Sequence, residues 1–402
     1  MTSAILSAGR AKTHLALLVI LGLTHLLNDL MQSLIPAAYP ILKETYALGF
    51  VQIGMITMTF QIAGSLLQPV IGMVTDRHPA PYSPVVGMMF TLSGLVSLSV
   101  AQNYTMILIS VALIGIGSSI FHPEATRMAR YAAGRKQGLA QGIFQVGGQA
   151  GGALGPVLAA LIVVPWGQPS LAWFAIAALA AMMLLTWIGS KQRQISAEFM
   201  AARSTGKKDS PTHVQHSART VGIGLVVLML LLFSKNAYGE SFRSFYTFFL
   251  MERFGLSIPA SQMMLFIFLL AAAIGVLVGG IVGDRIGRYR VIWISVLGPL
   301  PLTLILPYAD LFWTGVLTVL INLIMASAFA SILIYAIELL PNRIGLIGGL
   351  FYGLNFGLGG IAAAILGGMA DSFGVETVYQ ICSFLPLAGV LAWFLPRIEE
   401  GR

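Results

Sequence analysis

The chain has 402 residues, 57% of them hydrophobic and only 9% charged, with a formal net charge of +8 and a mean hydropathy of +0.85. A soluble domain carries roughly 25% charged residues, so this composition excludes a water-soluble globular fold and requires lipid as the main solvent. One cysteine, Cys382, excludes an internal disulfide framework and a cysteine metal site, and basic residues spread over short connections argue for a membrane surface rather than nucleic acid.

Spanning helices need about 20 mainly apolar residues. Twelve segments qualify, roughly 14–40, 50–75, 84–101, 104–130, 138–164, 169–190, 221–251, 260–283, 290–308, 311–339, 343–371 and 376–396. The first is too long for a signal-peptide core and lacks a small-residue cleavage site, so it is expected to stay. Between the sixth and seventh lies a polar stretch without apolar periodicity, with Lys207, Lys208, Asp209, Pro211, His213 and His216. These features predict an all-α membrane protein: one six-helix bundle over 1–190, a cytoplasmic linker over 191–219 and a second six-helix bundle over 220–402. With the N-terminus inside, most basic residues fall on cytoplasmic segments, Arg10, Lys12, Arg130, Arg135, Lys136, Lys191, Arg290 and Arg397 among them. Lys43 and Arg253 fall outside, and Lys235 and Arg243 lie within the seventh segment. That asymmetry predicts both termini in the cytoplasm.

A bare charge at mid-membrane costs on the order of 2.5–3.5 kcal/mol on insertion scales, so each one inside a segment needs a partner, water or a task. In the first segment His25 and Asp29 lie four apart on one stripe, with Gln32 next along it. A partly desolvated carboxylate there suits the loading and release of a proton near neutrality; the spacing suits a fixed His–Asp pair equally well. The fourth segment ends in Phe121-His122-Pro123-Glu124, followed by Arg127 and Arg130. Proline is expected to kink it and turn His122 and Glu124 toward a cavity, whereas Glu124 and Arg127, three apart, can simply pair.

The fifth segment carries Gln141, Gln145 and Gln149 at intervals of four, a stripe suited to lining a cavity or to joining helices. In the seventh, Asn236, Glu240 and Arg243 share one face, with Lys235 about 100° away. Arg243 suits a bidentate grip on an oxyanion and Lys235 a point charge; an internal Glu240–Arg243 ion pair is the structural alternative. Tyr352 and Asn355 in the eleventh segment are weaker polar candidates, and Glu338 in the tenth is close enough to Arg343 to pair.

Two connections share one chemistry. Gly279 to Arg290 reads GGIVGDRIGRYR, and Gly72 to Arg77 reads GMVTDR, with Asp76 and Asp284 separated by 208 positions. At that offset Glu44 falls on Glu252, Phe60 on Phe268, and Gly151 and Gly152 on Gly359 and Gly360. This is a weak internal repeat of two halves in the same orientation. Gly280, Asp284, Arg285, Gly287 and Arg288 resemble the loop signature of the major facilitator superfamily. The first copy keeps Gly72, Asp76 and Arg77 but continues His78-Pro79-Ala80-Pro81, so a weaker latch is expected there. Gly151, Gly155 and Pro156 are similar to that family's antiporter signature in the fifth helix and are expected at a helix-packing seam. The stretches THLLNDLMQSLIPAAYPIL, GSSIFHPEATRMAR and YAIELLPNRIGLIGGLF are similar to an exporter group within it that removes a small phosphonate antibiotic.

The resemblance implies two bundles rocking about a central site between helices 1, 4, 7 and 10, in a multi-pass protein of the bacterial inner membrane. It implies export of a small anionic drug in exchange for protons. Asp29 and Glu124, with His25 and His122, are then the expected proton carriers. Lys235, Arg243, Glu240, Asn236, Gln145 and Gln149 are expected around the substrate. Uptake of an organic phosphate or carboxylate is the alternative. No cofactor, metal or nucleic acid is expected, and the protein is expected to act as a monomer in lipid. The sequence has no H-E-x-x-H, G-x-S-x-G or P-loop, so neither enzymatic chemistry nor ATP hydrolysis is expected of it.

Overall fold

The computed structural model describes residues 13–77, 80–133, 137–204, 217–340 and 344–396. They form twelve membrane helices. The first six are α1 (Leu15–Ala37), α2 (Phe50–Arg77), α3 (Ser83–Ser99), α4 (Tyr104–Ala132), α5 (Gln137–Leu158) and α6 (Ala175–Ser204). The last six are α7 (Ala218–Phe254), α8 (Ile258–Ile286), α9 (Arg288–Leu297), α10 (Leu311–Ala326, resumed over Ala328–Leu339), α11 (Ile344–Phe373) and α12 (Val375–Cys382). A short helix, Tyr39–Thr45, follows α1, and a 3-10 stretch, Leu385–Phe394, extends α12. Ten helical runs are long and apolar enough to cross a membrane, and two shorter apolar helices, Ser83–Ser99 and Gly357–Phe373, accompany them. Helices satisfy their own backbone groups, which is what lipid demands of any spanning segment.

Local chemistry sets the ends. Asn103 and Asp310 cap α4 and α10, accepting from the backbone N–H of Met106 and Trp313 at 2.9 Å each. Gly255, with φ +65°, closes α7 in the left-handed conformation that glycine tolerates best. Helix α6 runs on to Ser204, so the first part of the polar stretch after Lys191 is helical; residues 205–216 of that stretch lie outside the described residues.

Glycines decide how the helices approach. Along the α1–α5 seam, a Cβ on Gly147 would sit 2.1 Å from the Gly22 carbonyl oxygen, and one on Gly151 2.1 Å from that of Leu26. On Gly155 it would meet Ser33 Oγ at 2.0 Å. Such backbone contact is how helices pack where lipid gives no hydrophobic drive. The first six helices meet the last six along α2–α11 and α5–α8. At the Phe50 end of α2 the α11 backbone touches it directly: a Cβ on Gly54 would lie 2.3 Å from the Ala363 oxygen, and one on Gly367 2.3 Å from that of Phe50. Further along, a Cβ on Gly353 would be 3.9 Å from the Ser65 oxygen. The seam is tight at one end and looser toward the other.

Polar links join the two helix groups from the tight end to the middle of α2. Asp371 of α11 accepts from the backbone N–H of Phe50 and Val51 at 2.7 and 2.8 Å. Gln61 donates to Glu240 at 3.0 Å, Thr57 and Ser244 share a bond at 3.2 Å, and Gln262 donates to the Ala37 carbonyl at 2.9 Å.

Candidate functional site

Helices α1, α4 and α5 bring three ionisable groups together. His25 Nε2 lies 3.2 Å from Asp29 Oδ2, and His122 Nε2 lies 3.5 Å from Asp29 Oδ1. The opposite ring nitrogens are committed elsewhere. His25 Nδ1 is 2.7 Å from the Phe144 carbonyl oxygen, and His122 Nδ1 is 2.9 Å from that of Ser118. A carbonyl only accepts, so both Nδ1 atoms carry hydrogen, an assignment made from the hydrogen-bond network. Each neutral imidazole would then aim its Nε2 lone pair at a carboxylate oxygen. Two lone pairs facing an anion repel it unless a proton stands between them. Asp29 anchors this group, and its side chain keeps 27% of its surface exposed while that of His25 keeps 4%.

The surroundings complete the site. His25 stacks on Phe144, with ring centroids 4.0 Å apart, and Asn28 donates to Asp29 Oδ1 at 2.9 Å. Ser118 Oγ donates to Gln32 Oε1 at 3.1 Å, while Gln32 Nε2 and Asn28 Oδ1 are buried without a hydrogen-bond partner. Gly148 of α5 makes the room: a Cβ there would lie 2.6 Å from His25 Nε2 and 2.8 Å from Asp29 Oδ2. The donor atoms of His25, Asp29 and His122 all fall within 4.8 Å of one another, a spacing a metal ion could also bridge.

Glu124 does not join this group. Helix α4 continues through Pro123, and residues two apart on a helix point roughly 200° apart. His122 meets Asp29, whereas the fully buried Glu124 faces α6 and pairs with Arg127 at 2.8 Å, with Gln192 3.5 Å away. The shared cavity expected for His122 and Glu124 is not what the structure forms.

Helix α7 carries the second polar group. Glu240 is buried; it accepts from Ser244 Oγ at 2.8 Å and from Gln61 at 3.0 Å, and Arg243 lies 3.5 Å away. Arg243 keeps 49% of its side chain exposed, and Lys235 lies within electrostatic range of it. Asn236 is buried, and Gln145 and Gln149 are half-buried on α5. The aromatic run of α7 packs inward: Phe242 stacks on Phe268 of α8 at 4.4 Å, and Phe249 meets Tyr379 of α12 at 4.4 Å.

In the two signature connections, Gly72, Asp76 and Arg77 fall in the last turns of α2, and Gly280, Asp284 and Arg285 in those of α8; their side chains lie outside the described residues. So do the side chains of Gln141, Tyr352 and Asn355. Gly287, with φ +89°, makes the turn into α9, and Arg288 pairs with Glu338 of α10. Arg343, the partner expected for Glu338, lies outside the described residues. Gly148, Gln61 and Asp371 were not singled out by the sequence. Gly148 and Asp371 act through residues far away in the chain, and Gln61 is one polar residue among several on its helix.

Comparison with known proteins matches the Major Facilitator Superfamily over residues 21–364 and 224–402. The chain is 53% identical to the fosmidomycin resistance protein of Escherichia coli (strain K12) over 392 residues, which is 97% of this chain and 95% of the relative. It is 40% identical over 390 residues to an uncharacterized MFS-type transporter, YfnC, of Bacillus subtilis (strain 168), covering 96% of this chain and 94% of that one. In fold it is similar to a crystal structure of the nucleoside transporter NupG, with a TM-score of 0.74 at 15% identity over 94% of this chain and 98% of that one.

Proposed function

Because the chain belongs to the major facilitator superfamily, we propose that this multi-pass transporter exports a small anionic drug, a fosmidomycin-like phosphonate, from the bacterial cytoplasm in exchange for protons. Its place is the inner membrane, with both termini inside. The cargo is supported by 53% identity over nearly the whole length to a protein named for fosmidomycin resistance. Lys235 and Arg243 supply the positive charge such an anion requires, with Asn236, Gln145 and Gln149 as neutral hydrogen-bonding groups and Glu240 orienting Arg243.

One observation carries the coupling: two imidazole Nε2 atoms converge on Asp29 with their other nitrogens already committed. In this reading His25, Asp29 and His122 take protons from the outside and release them to the cytoplasm as the halves alternate. Glu124, tied to Arg127, holds the end of α4 and stands apart from this group.

Purified protein in liposomes tests this. An imposed pH gradient should drive phosphonate flux in the wild type, and Asp29→Asn should lose the gradient-driven component while inserting normally. Flux that ignores the gradient would remove proton coupling, and a folded Asp29→Asn that still responds to it would remove this site.

A further inference from the structure

Helix α2 starts without a cap of its own. The residue before it is Gly49, which has no side chain to accept from the first free N–H groups. Half of a capping box is nevertheless present, because Gln52 Oε1 accepts from the Gly49 N–H at 2.9 Å. The missing half comes from the other six-helix group: Asp371, at the end of α11, accepts from Phe50 and Val51 through its two oxygens at 2.7 and 2.8 Å. A carboxylate at a helix N-terminus also meets the positive end of the helix dipole.

The repeat shows that this arrangement is not a general need of the fold. At the 208-residue offset Gly49 falls on Ser257 and Phe50 on Ile258. Ser257 caps α8 from within its own chain segment, accepting from the Ala260 N–H at 3.4 Å. The position equivalent to Asp371 is Val163, whose side chain cannot accept a hydrogen bond. One helix of the pair caps itself, and the other borrows its cap across the seam.

We infer that Asp371 is a latch: it positions the two halves by completing the N-terminus of α2 only while this end of the seam is closed. Separating the halves here uncaps α2 and frees the carboxylate at the same moment. The closed state is thereby favoured until something offsets that loss. With the termini inside, this end faces outward, so the latch sets how readily the carrier opens to the outside. The inference holds whatever the cargo and the coupling ion.

Two substitutions separate the latch from mere stability. Asp371→Ala removes the borrowed cap, and adding Gly49→Asp returns a cap within α2 without crossing the seam. Spin labels at Glu44→Cys and Phe373→Cys, both exposed positions flanking this end, report its opening by pulsed electron resonance in lipid nanodiscs; Cys382, the native cysteine, is buried. Asp371→Ala should shift the distances toward longer values and lower the melting temperature. The double variant should recover the melting temperature and keep the longer distances. Unchanged distances in Asp371→Ala, or their return to wild type in the double variant, would overturn the latch.

Discussion

Asp29 sits where three helices meet, and the residue that admits it has no side chain. A methyl at Gly148 would fall 2.4 Å from His25 Cε1 and 2.8 Å from Asp29 Oδ2, distances that neither ring nor carboxylate can absorb in place. Overpacking of this kind costs about 1–3 kcal/mol, and here it falls on the imidazole–carboxylate contact itself. Gly148→Ala should therefore reduce gradient-driven transport at least tenfold while losing only a few degrees of thermal stability; transport and melting temperature measured on the same preparation check this. Lys235 offers a contrasting test. Removing a point charge that holds an anion raises the dissociation constant, and about 1.4 kcal/mol corresponds to tenfold. Lys235→Ala should weaken phosphonate binding by roughly that factor, with proton release affected less. A binding titration with unchanged affinity would take Lys235 out of the site. Some of this was legible in the sequence: a spacing of four put His25 and Asp29 on one stripe. His122 was a candidate on its own helix, but its meeting with Asp29 comes only through the packing of α4 on α1. Its neighbour Glu124 misled, because a proline that helix α4 accommodates does not redirect a side chain pointing the other way.

At the scale of elements, the twelve apolar segments and their order could be read from length and hydropathy, because a bilayer fixes how long an apolar helix must be. The run of α6 to Ser204 could not be read, since a polar helix beyond the apolar core has no apolar period to mark it. Tertiary capping was equally hidden: Asp371 and Phe50 are 321 residues apart, and no local pattern links them. The two signature connections diverge beyond their shared Asp-Arg pair. The second continues through Gly287, whose φ of +89° makes the turn, to Arg288, which pairs with Glu338 on α10. The first continues His78-Pro79-Ala80-Pro81 and has neither residue. With its connection anchored, the second copy has more to lose, so Asp284→Asn should impair transport more than Asp76→Asn. Drug flux per folded transporter compares them, and equal losses would mean that the two connections contribute alike.

For the whole molecule, the seam between the halves is the feature with the widest reach. Near Phe50 it is made largely of backbone against backbone, through Gly54, Ala363 and Gly367. Parting these surfaces exposes peptide groups and small side chains, and beside them the buried ring of Phe50, which meets Phe245 and Phe248 of α7 at 6.1 and 5.2 Å. Apolar exposure raises heat capacity and polar exposure lowers it, so the peptide groups offset part of what the rings contribute when this end opens. Opening should consequently carry a small positive heat-capacity change, set by the rings and reduced by the peptide groups, and the balance between closed and open forms should follow a gently curved van 't Hoff line. A carrier whose seam joins glycine backbone to one aromatic cluster has the temperature response of its opening set by how those rings are wetted.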